Sequence, residues 1–241
     1  MVLGKVFETT HGGFVRVVDY KNSKNITVEF VGDYKCVRVV NKQTLLRGTI
    51  RNTNKYFPSV FGVGFYGEGK FDRDSPSYSI WHGMLERCYS PLFKSKNKTY
   101  VNCVADESWH NLQNFSRWYE AQNKREGWHL DKDLLGGGSV YSAESCCLVP
   151  MTINNFLIRG SEKLDLPLGV RRAVTQGKFL SYISLDGRLT YLGTRDSVES
   201  AFSLYKNAKE KKAKELANEF KTDLDVRATE ALMNWEITIE D

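Results

Sequence analysis

The last third of the chain alternates short β-type segments with turn dipeptides and then changes to a helical pattern. The three segments are Gly169–Arg172, Lys178–Leu185 and Leu189–Gly193. The dipeptides Gln176-Gly177 and Asp186-Gly187 separate them, and such dipeptides favour tight hairpins because they tolerate positive φ. Asp196 is the candidate N-cap of a helix whose apolar residues recur at helical spacing from Ala201 onward. The pattern predicts a three-stranded sheet followed by a helix.

Residues 1–50 have the alternation of a small all-β unit. The predicted strands are Phe14–Tyr20, Ile26–Phe30, Val37–Val40 and Leu45–Ile50. This arrangement predicts an SH3-like β-barrel, which could dock a protein partner or nucleic acid, or serve only as scaffold. Residues 51–77 are rich in glycine and aromatic residues and are predicted to form a linker. Gly62–Gly67 fits GxGxxG, but no helical pattern follows it, which argues against a dinucleotide site.

Three helices are predicted between residues 78 and 158, beginning near Ser77–Ser79, Asn111 and Pro150. The first helix has an apolar face that consists of Ile80, Met84, Leu85 and Cys88. Two short β-type segments, Trp128–Leu135 and Ser145–Val149, lie between the second and third helices, with glycines 136–138 between them. The order is therefore β–turn–β–α. A helix is also predicted from Lys206 to Lys221, followed by a tail with a short helix.

Composition narrows the class of protein. The 241 residues carry a formal net charge of +5, which favours a polyanionic partner without proving one. The N-terminus lacks the pattern of a signal peptide, and no apolar run reaches the length of a membrane span. The five cysteines form no CxxC pair, so reduced, buried thiols are expected. A zinc site from Cys88, Cys103 and Cys146 with a histidine is disfavoured.

The C-terminal motifs resemble a known family. They are Gly169-Val170-Arg171-Arg172, Gly177-Lys178-Phe179, Tyr191-Leu192-Gly193-Thr194 and a helix with Ala201 and Tyr205. Together they look like an AP2-type DNA-binding domain, which implies a sheet that lies in the DNA major groove. By position, the implied DNA contacts are Arg171, Lys178, Tyr182 and Tyr191, and we add Arg172 and Arg188 as basic neighbours. Ser184 and Leu189 stand where the family has arginines, and Tyr191 stands where it has a tryptophan.

The central motifs resemble a second family. They are Trp81-x-x-Met84-x-x-Arg87-Cys88, Leu130-Asp131-Lys132-Asp133, Tyr141-Ser142-x-Glu144-x-Cys146 and Asn154-Asn155. This set is similar to phage-encoded HNH-like (ββα-metal) proteins, which often join the module to an AP2-type domain in homing endonucleases. The two resemblances cover residues 78–241. They imply double-stranded DNA as partner, Mg²⁺ or Mn²⁺ as cofactor of cleavage, and a cytoplasmic location, in the host cell if the protein is phage-encoded.

The chemistry of such a nuclease needs a base, a hard divalent cation and a group that fixes both. Asp131 and Asp133 would share the metal, because alternate residues of a strand lie on one face. Asn154 would come from the following helix. His129 is the candidate base, although a partly exposed strand residue beside Trp128 is an equal interpretation. Further DNA contacts are expected from Arg87 and Lys132.

The family's Asp-His pair is missing, because Leu134 follows Asp133. Two hypotheses therefore stay open: an HNH-like homing-type endonuclease, and a catalytically inactive DNA-binding, regulatory or anti-defence protein that keeps the nuclease fold. A weaker third is a protein-interaction role of the N-terminal β domain. The predicted fold class is α+β. Its regions are an SH3-like domain (1–50), a linker (51–77), an HNH-like ββα module with flanking helices (78–160) and an AP2-like sheet plus helix with a helical tail (161–241).

Overall fold

The computed structural model describes residues 2–123, 126–136, 138–157, 165–185 and 187–241. Its fold is mixed α+β, as predicted, and divides into two compact units, Met1–Glu120 and Ala121–Asp241. This division falls inside the segment 78–160 that the sequence predicts as one module. Asp186 of the predicted hairpin turn, Gly137 and the predicted boundary at residue 160 lie outside the described residues. Within the described ranges, no helix is long and apolar enough to cross a membrane.

The first unit begins with an antiparallel sheet in the order β1 (Val6–Glu8), β2 (Phe14–Asn22), β3 (Asn25–Phe30) and β4 (Val37–Val40). One face is buried, because alternate residues of β2 and β3 pack together with Leu45 and Ile50. In the described chain β1 and β4 lie at the two edges, so the sheet is an open meander. The closed SH3-like barrel of the prediction is not formed.

The predicted strand Leu45–Ile50 is wrong, because the helix α1 (Lys42–Arg47) occupies this part of the chain. The side chain of Asn41 accepts a hydrogen bond from the Thr44 N–H at 2.8 Å. Gly48 follows the helix with a φ of 66°, in the left-handed region that ends many helices. Caps at both ends therefore specify a helical turn here, despite its β-type composition.

The rest of the first unit contains α2 (Pro76–Tyr89), α3 (Pro91–Lys96), β5 (Val104–Ala105) and α4 (Leu112–Ala121). Ser75 caps α2, and Pro76 occupies its first turn, where no N–H partner is needed. The predicted apolar face is confirmed for Met84, Leu85 and Cys88, which are buried, whereas Ile80 is half-buried. The Trp81 indole N–H donates to the carbonyl of Trp109 at 2.7 Å and joins α2 to the turn before α4.

The second unit contains the predicted β–turn–β–α order. Strand β6 (His129–Asp131) pairs antiparallel with β8 (Cys147–Val149), and α5 (Met151–Leu157) follows; the short strand β7 (Val140–Tyr141) lies between them in sequence. Cys147 and Val149 share a core with α5, the C-terminal half of α6 (Val198–Glu219) and α7 (Val226–Met233). The predicted helical tail is therefore part of the core behind β8.

The C-terminal sheet has the order β11 (Arg188–Arg195), β10 (Phe179–Leu185) and β9 (Val170–Arg172), with antiparallel pairing. Helix α6 covers one face, where Ile183, Phe202 and Tyr205 are buried. The predicted sheet and helix are thus present. The N-cap is Ser197 and not Asp196, because Ser197 Oγ accepts the Ser200 N–H at 3.1 Å, whereas Asp196 forms an ion pair with Lys178.

Candidate nucleic-acid interface

A row of three side chains crosses the face of the C-terminal sheet opposite to α6. Arg171 comes from β9, Tyr182 from β10 and Tyr191 from β11. The guanidinium carbon of Arg171 lies 5.3 Å from the centre of the Tyr182 ring. The Tyr182 and Tyr191 rings are 5.4 Å apart. We call this set the Arg–Tyr–Tyr row; it places a cation and two aromatic rings in line on the outer face.

A β-bulge in β11 positions the end of this row. Ser181 pairs with Gly193 and Tyr182 with Tyr191, so Leu192 is an additional residue on β11. Residues three apart in a regular strand point to opposite faces, whereas a bulge brings them to the same face. The Tyr191 hydroxyl accordingly lies 2.6 Å from Thr194 Oγ1. The bulge therefore fixes the Tyr191 ring on the outer face, while Leu192 packs against the core.

Gly169 sets the approach of β9 to the rest of the sheet. Its φ is +76°, and a Cβ atom there would lie 2.1 Å from Tyr205 Cδ2 and 2.8 Å from the Tyr182 carbonyl oxygen. That carbonyl belongs to the same residue whose N–H donates to the Gly169 carbonyl at 2.8 Å. Only glycine allows this contact, which places Arg171 beside Tyr182.

The other predicted contacts of this sheet lie on its edge strands β9 and β11 and in the turn before β10. Arg172 and Arg188 are exposed at β9 and at the start of β11. Lys178 is also at the surface, but its ammonium forms an ion pair with Asp196. A cavity of about 550 Å³ lies beside the row, and Arg171, Arg172 and Tyr182 are among its lining residues. The lining also includes Asp165, Val170 and Tyr205, so the cavity lies at the β9 edge of the sheet.

The two predicted metal-binding aspartates do not lie on one strand face. Asp131 is the last residue of β6 and is buried, and its Oδ1 accepts the N–H groups of Asp133 at 3.1 Å and Leu134 at 2.8 Å. Burial raises the pKa of the Asp131 carboxyl, although these hydrogen bonds act in the opposite direction. Asp133 lies beyond the strand in the following turn and is exposed. Asp131 therefore folds the turn that carries Asp133 away from the strand.

Lys132 braces the same turn. It is buried, and its ammonium donates to Asp133 Oδ1 at 2.5 Å and to the Gly138 carbonyl at 2.9 Å. The ammonium also lies 5.9 Å from the centre of the Tyr141 ring. The ammonium of Lys132 is therefore engaged in this turn, and its predicted contact with DNA stays a prediction.

Three other predicted residues do not belong to the C-terminal sheet. His129 is half-buried on the β6 face that carries Asp131, and Asn154 is half-buried on α5, which packs against β6. Arg87 belongs to the first unit, where its Nε donates to the Gly83 carbonyl at 3.1 Å. Across the described ranges, no group of three or more His, Cys, Asp or Glu side chains could hold a metal ion. The oxygen donors of Asp131, Asp133 and Asn154 suit a hard cation, and the metal cofactor stays a prediction.

Sequence reasoning did not find an arginine from α7 that holds the loop before β8. Arg227 donates to the carbonyls of Ala143 at 3.2 Å, Glu144 at 2.9 Å and Cys146 at 3.3 Å. It also pairs with Asp225 at 2.7 Å, and this hydrogen bond lowers the pKa of the Asp225 carboxyl. The only signal in the sequence is an Asp-x-Arg start of a helix. We call this set of contacts the Arg227 clamp.

The adjacent cysteines of this loop are core residues. Cys146 and Cys147 are fully buried, and burial raises the pKa of the Cys146 thiol to about 12. The Cys147 thiol has a raised pKa for the same reason. Because thiolates are the reactive and metal-binding form, both thiols are inert near neutral pH.

Comparison with known proteins gives no relative. No protein-family model, no curated protein and no solved structure matches the chain. The AP2-type and HNH-like resemblances therefore stay predictions, and the case for function depends on the geometry of the two units.

Proposed function

We propose that the protein binds double-stranded DNA through the outer face of its C-terminal sheet. The observation that carries this proposal is the Arg–Tyr–Tyr row. This row lies on the face of the sheet that α6 leaves uncovered. The DNA major groove is about 12 Å wide and admits β-structure, and arginine and aromatic side chains contact base edges there. The exposed Arg172 and Arg188 lie on the two edge strands, β9 and β11, and in this proposal they would contact phosphates, which position a protein on the duplex.

A binding assay with a control variant of matched charge tests this proposal. Arg171→Gln and Tyr191→Ala are compared with wild type by fluorescence anisotropy of a labelled duplex. Arg38→Gln is the control, because it removes the same charge from an exposed position on β4 of the first unit. We expect Kd to rise about 5- to 100-fold for the two sheet variants and to stay unchanged for the control. Equal affinities for all four proteins would contradict the proposal.

A second candidate is metal-dependent DNA cleavage by the segment from β6 to α5. The observation that favours it is the β–β–α order, with Asp131 ending the first strand and Asn154 on the following helix. Asp131 Oδ1 is engaged in its turn, and Asp133 is held by Lys132. A Mg²⁺ ion would therefore need further oxygen ligands, which water or a DNA phosphate could supply.

Cleavage of supercoiled plasmid in the presence of Mg²⁺ or Mn²⁺ tests this second candidate. Asp131→Asn keeps an oxygen that can accept the turn N–H groups, so its loss of cleavage would report on charge and not on folding. His129→Ala tests the base. If wild type binds DNA but leaves the plasmid intact, the endonuclease is excluded and the non-catalytic DNA-binding alternative stands.

A further inference from the structure

The first unit contains a cavity of about 600 Å³ that the proposed DNA interface does not use. Its lining residues come from the loop of residues 51–61, from the start of α2 and from the segments around them. Arg51, Arg73, His11 and His82 contribute cationic or imidazole groups to this lining. In the described part of the chain, no carboxylate lines the cavity. A wall of this kind favours an anionic ligand.

The same cavity has an aromatic side. Phe61 and His82 lie with ring centres 4.9 Å apart, and His82 and Tyr78 are 5.7 Å apart. Tyr78 is buried, whereas Phe61 and His82 are half-buried and reach the cavity. Planar rings that reach a cavity can stack on a planar ligand, as aromatic side chains do with nucleic-acid bases.

The backbone at Phe61 is strained. Its φ is +51°, and it is the one non-glycine residue with positive φ among those the structure describes. Phe61 and Gly62 are the central residues of a tight turn in which the Val63 N–H donates to the Val60 carbonyl at 3.2 Å. Asparagine or glycine is preferred at the position of Phe61 in such a turn. Strain of this kind clusters at ligand sites, so the ring is retained here at the expense of backbone preference.

The loop that carries the cationic side is ordered by its own amides. Asn52 Oδ1 accepts the Asn54 N–H at 2.8 Å, and Asn54 Oδ1 accepts the Tyr56 N–H at 2.9 Å. The amide nitrogen of Asn52 donates to the Tyr34 carbonyl at 2.8 Å. These contacts hold the loop in place without a ligand, which lowers the ordering cost of binding.

We propose that this cavity binds a nucleoside monophosphate, with the base against the Phe61–His82 rings and the phosphate near Arg51 and Arg73. Its volume lies within the range of about 300–1,000 Å³ that is typical of small-ligand sites. The nucleotide could be free or belong to a single strand. This site is independent of the C-terminal sheet and extends the proposed function.

Isothermal titration of the full chain tests the proposal, with dAMP, deoxyadenosine, inorganic phosphate and a hexamer of deoxyadenylate as separate probes. We expect dAMP to bind at least about 10-fold more tightly than deoxyadenosine or phosphate alone. Higher affinity for the hexamer than for dAMP would assign the cavity to a strand nucleotide, and the reverse order to a free nucleotide. Undetectable dAMP and hexamer binding at about 5 mM would overturn the proposal.

Two variants distinguish a loss of binding at the cavity from a loss of folding and from an effect at the C-terminal sheet. Phe61→Asn removes the ring but relieves the turn, so we expect affinity to fall at least about 5-fold with an unchanged or higher Tm. The double variant Arg51→Gln, Arg73→Gln should weaken dAMP binding at least about 10-fold. Arg38→Gln and Arg171→Gln should bind dAMP like wild type. Wild-type affinity in both cavity variants would refute the site, whereas failure of DNA binding in the sheet assay would leave it intact.

Discussion

Ser181 is a single polar side chain in the core of the C-terminal sheet. It is fully buried, and its Oγ has no hydrogen-bond partner among the described residues. An unsatisfied buried hydroxyl costs about 1–3 kcal/mol of stability. We therefore predict that Ser181→Ala leaves the free energy of unfolding unchanged or raises it by up to about 1 kcal/mol. Urea unfolding measures this, and a loss of stability would contradict the prediction.

Gly169 is a second residue whose identity is constrained by its neighbours. Gly169→Ala should destabilise the protein by more than about 2 kcal/mol, because the added Cβ would clash with the Tyr205 ring and with backbone. Gly177 is a matched control, since its φ of +75° is similar but no atom lies within 4 Å of the added Cβ. Gly177→Ala should cost only about 1 kcal/mol. Equal losses in thermal unfolding would show that the close contact with Tyr205 is unimportant.

At the scale of elements, the Arg227 clamp joins α7 to the loop before β8. We predict that Arg227→Lys lowers the free energy of unfolding by about 1–2 kcal/mol, because an ammonium cannot keep the forked geometry toward several acceptors. The matched change Arg188→Lys, at an exposed strand position, should have little effect on chemical unfolding. Equal stability of Arg227→Lys and wild type would contradict a structural role for the clamp.

The same clamp gives a pH dependence. Because Arg227 holds the pKa of Asp225 below its ordinary value of 3.8, the ionised carboxylate stabilises the fold above that value. This contribution is lost as the pH falls through the lowered pKa. We expect Asp225→Asn to be less stable than wild type at pH 7, and the difference to shrink below about pH 4. A difference that is constant from pH 7 to pH 3 would contradict this assignment.

Helices and strands are largely predictable where the local sequence determines them. The sheet that contains Lys178–Leu185 and the helices α2 and α4 follow from periodicity and turn residues. The segment Leu45–Ile50 was mispredicted because the caps of α1 outweigh its β-type composition. The turn at Asp131 could not be predicted either. The Asp131 carboxylate accepts N–H groups of the residues that follow it, and this turn ends β6 after three residues.

Long-range contacts were not predictable from local pattern. The Arg227 clamp connects residues more than 80 positions apart, as the 84 positions from Ala143 illustrate. Lysine side chains on a helix ordinarily extend into solvent. Instead, Lys209 donates to the Phe156 carbonyl at 2.7 Å and Lys206 to the Ile237 carbonyl at 2.8 Å. Such partners depend on how α5 and the C-terminus pack, which no sequence window contains.

At the scale of the whole molecule, the net charge of +5 is modest, so the proposed DNA binding depends on where the cations lie. The outer face of the C-terminal sheet presents Arg171 beside two tyrosine rings, and the exposed Arg172 and Arg188 lie on the two edge strands β9 and β11. Each phosphate contact releases counterions and adds about −0.9 to the slope of log affinity against log salt. The two phosphate contacts proposed for Arg172 and Arg188 therefore predict a slope of about −2.

The most direct test is the affinity for duplex DNA between about 50 and 200 mM salt, measured for wild type, Arg171→Gln and Arg38→Gln. We predict a steep wild-type slope, a clear loss of affinity for Arg171→Gln at every salt concentration, and no change for Arg38→Gln. Affinity that is flat across this salt range, or curves that coincide for wild type and Arg171→Gln, would contradict DNA binding by the C-terminal sheet.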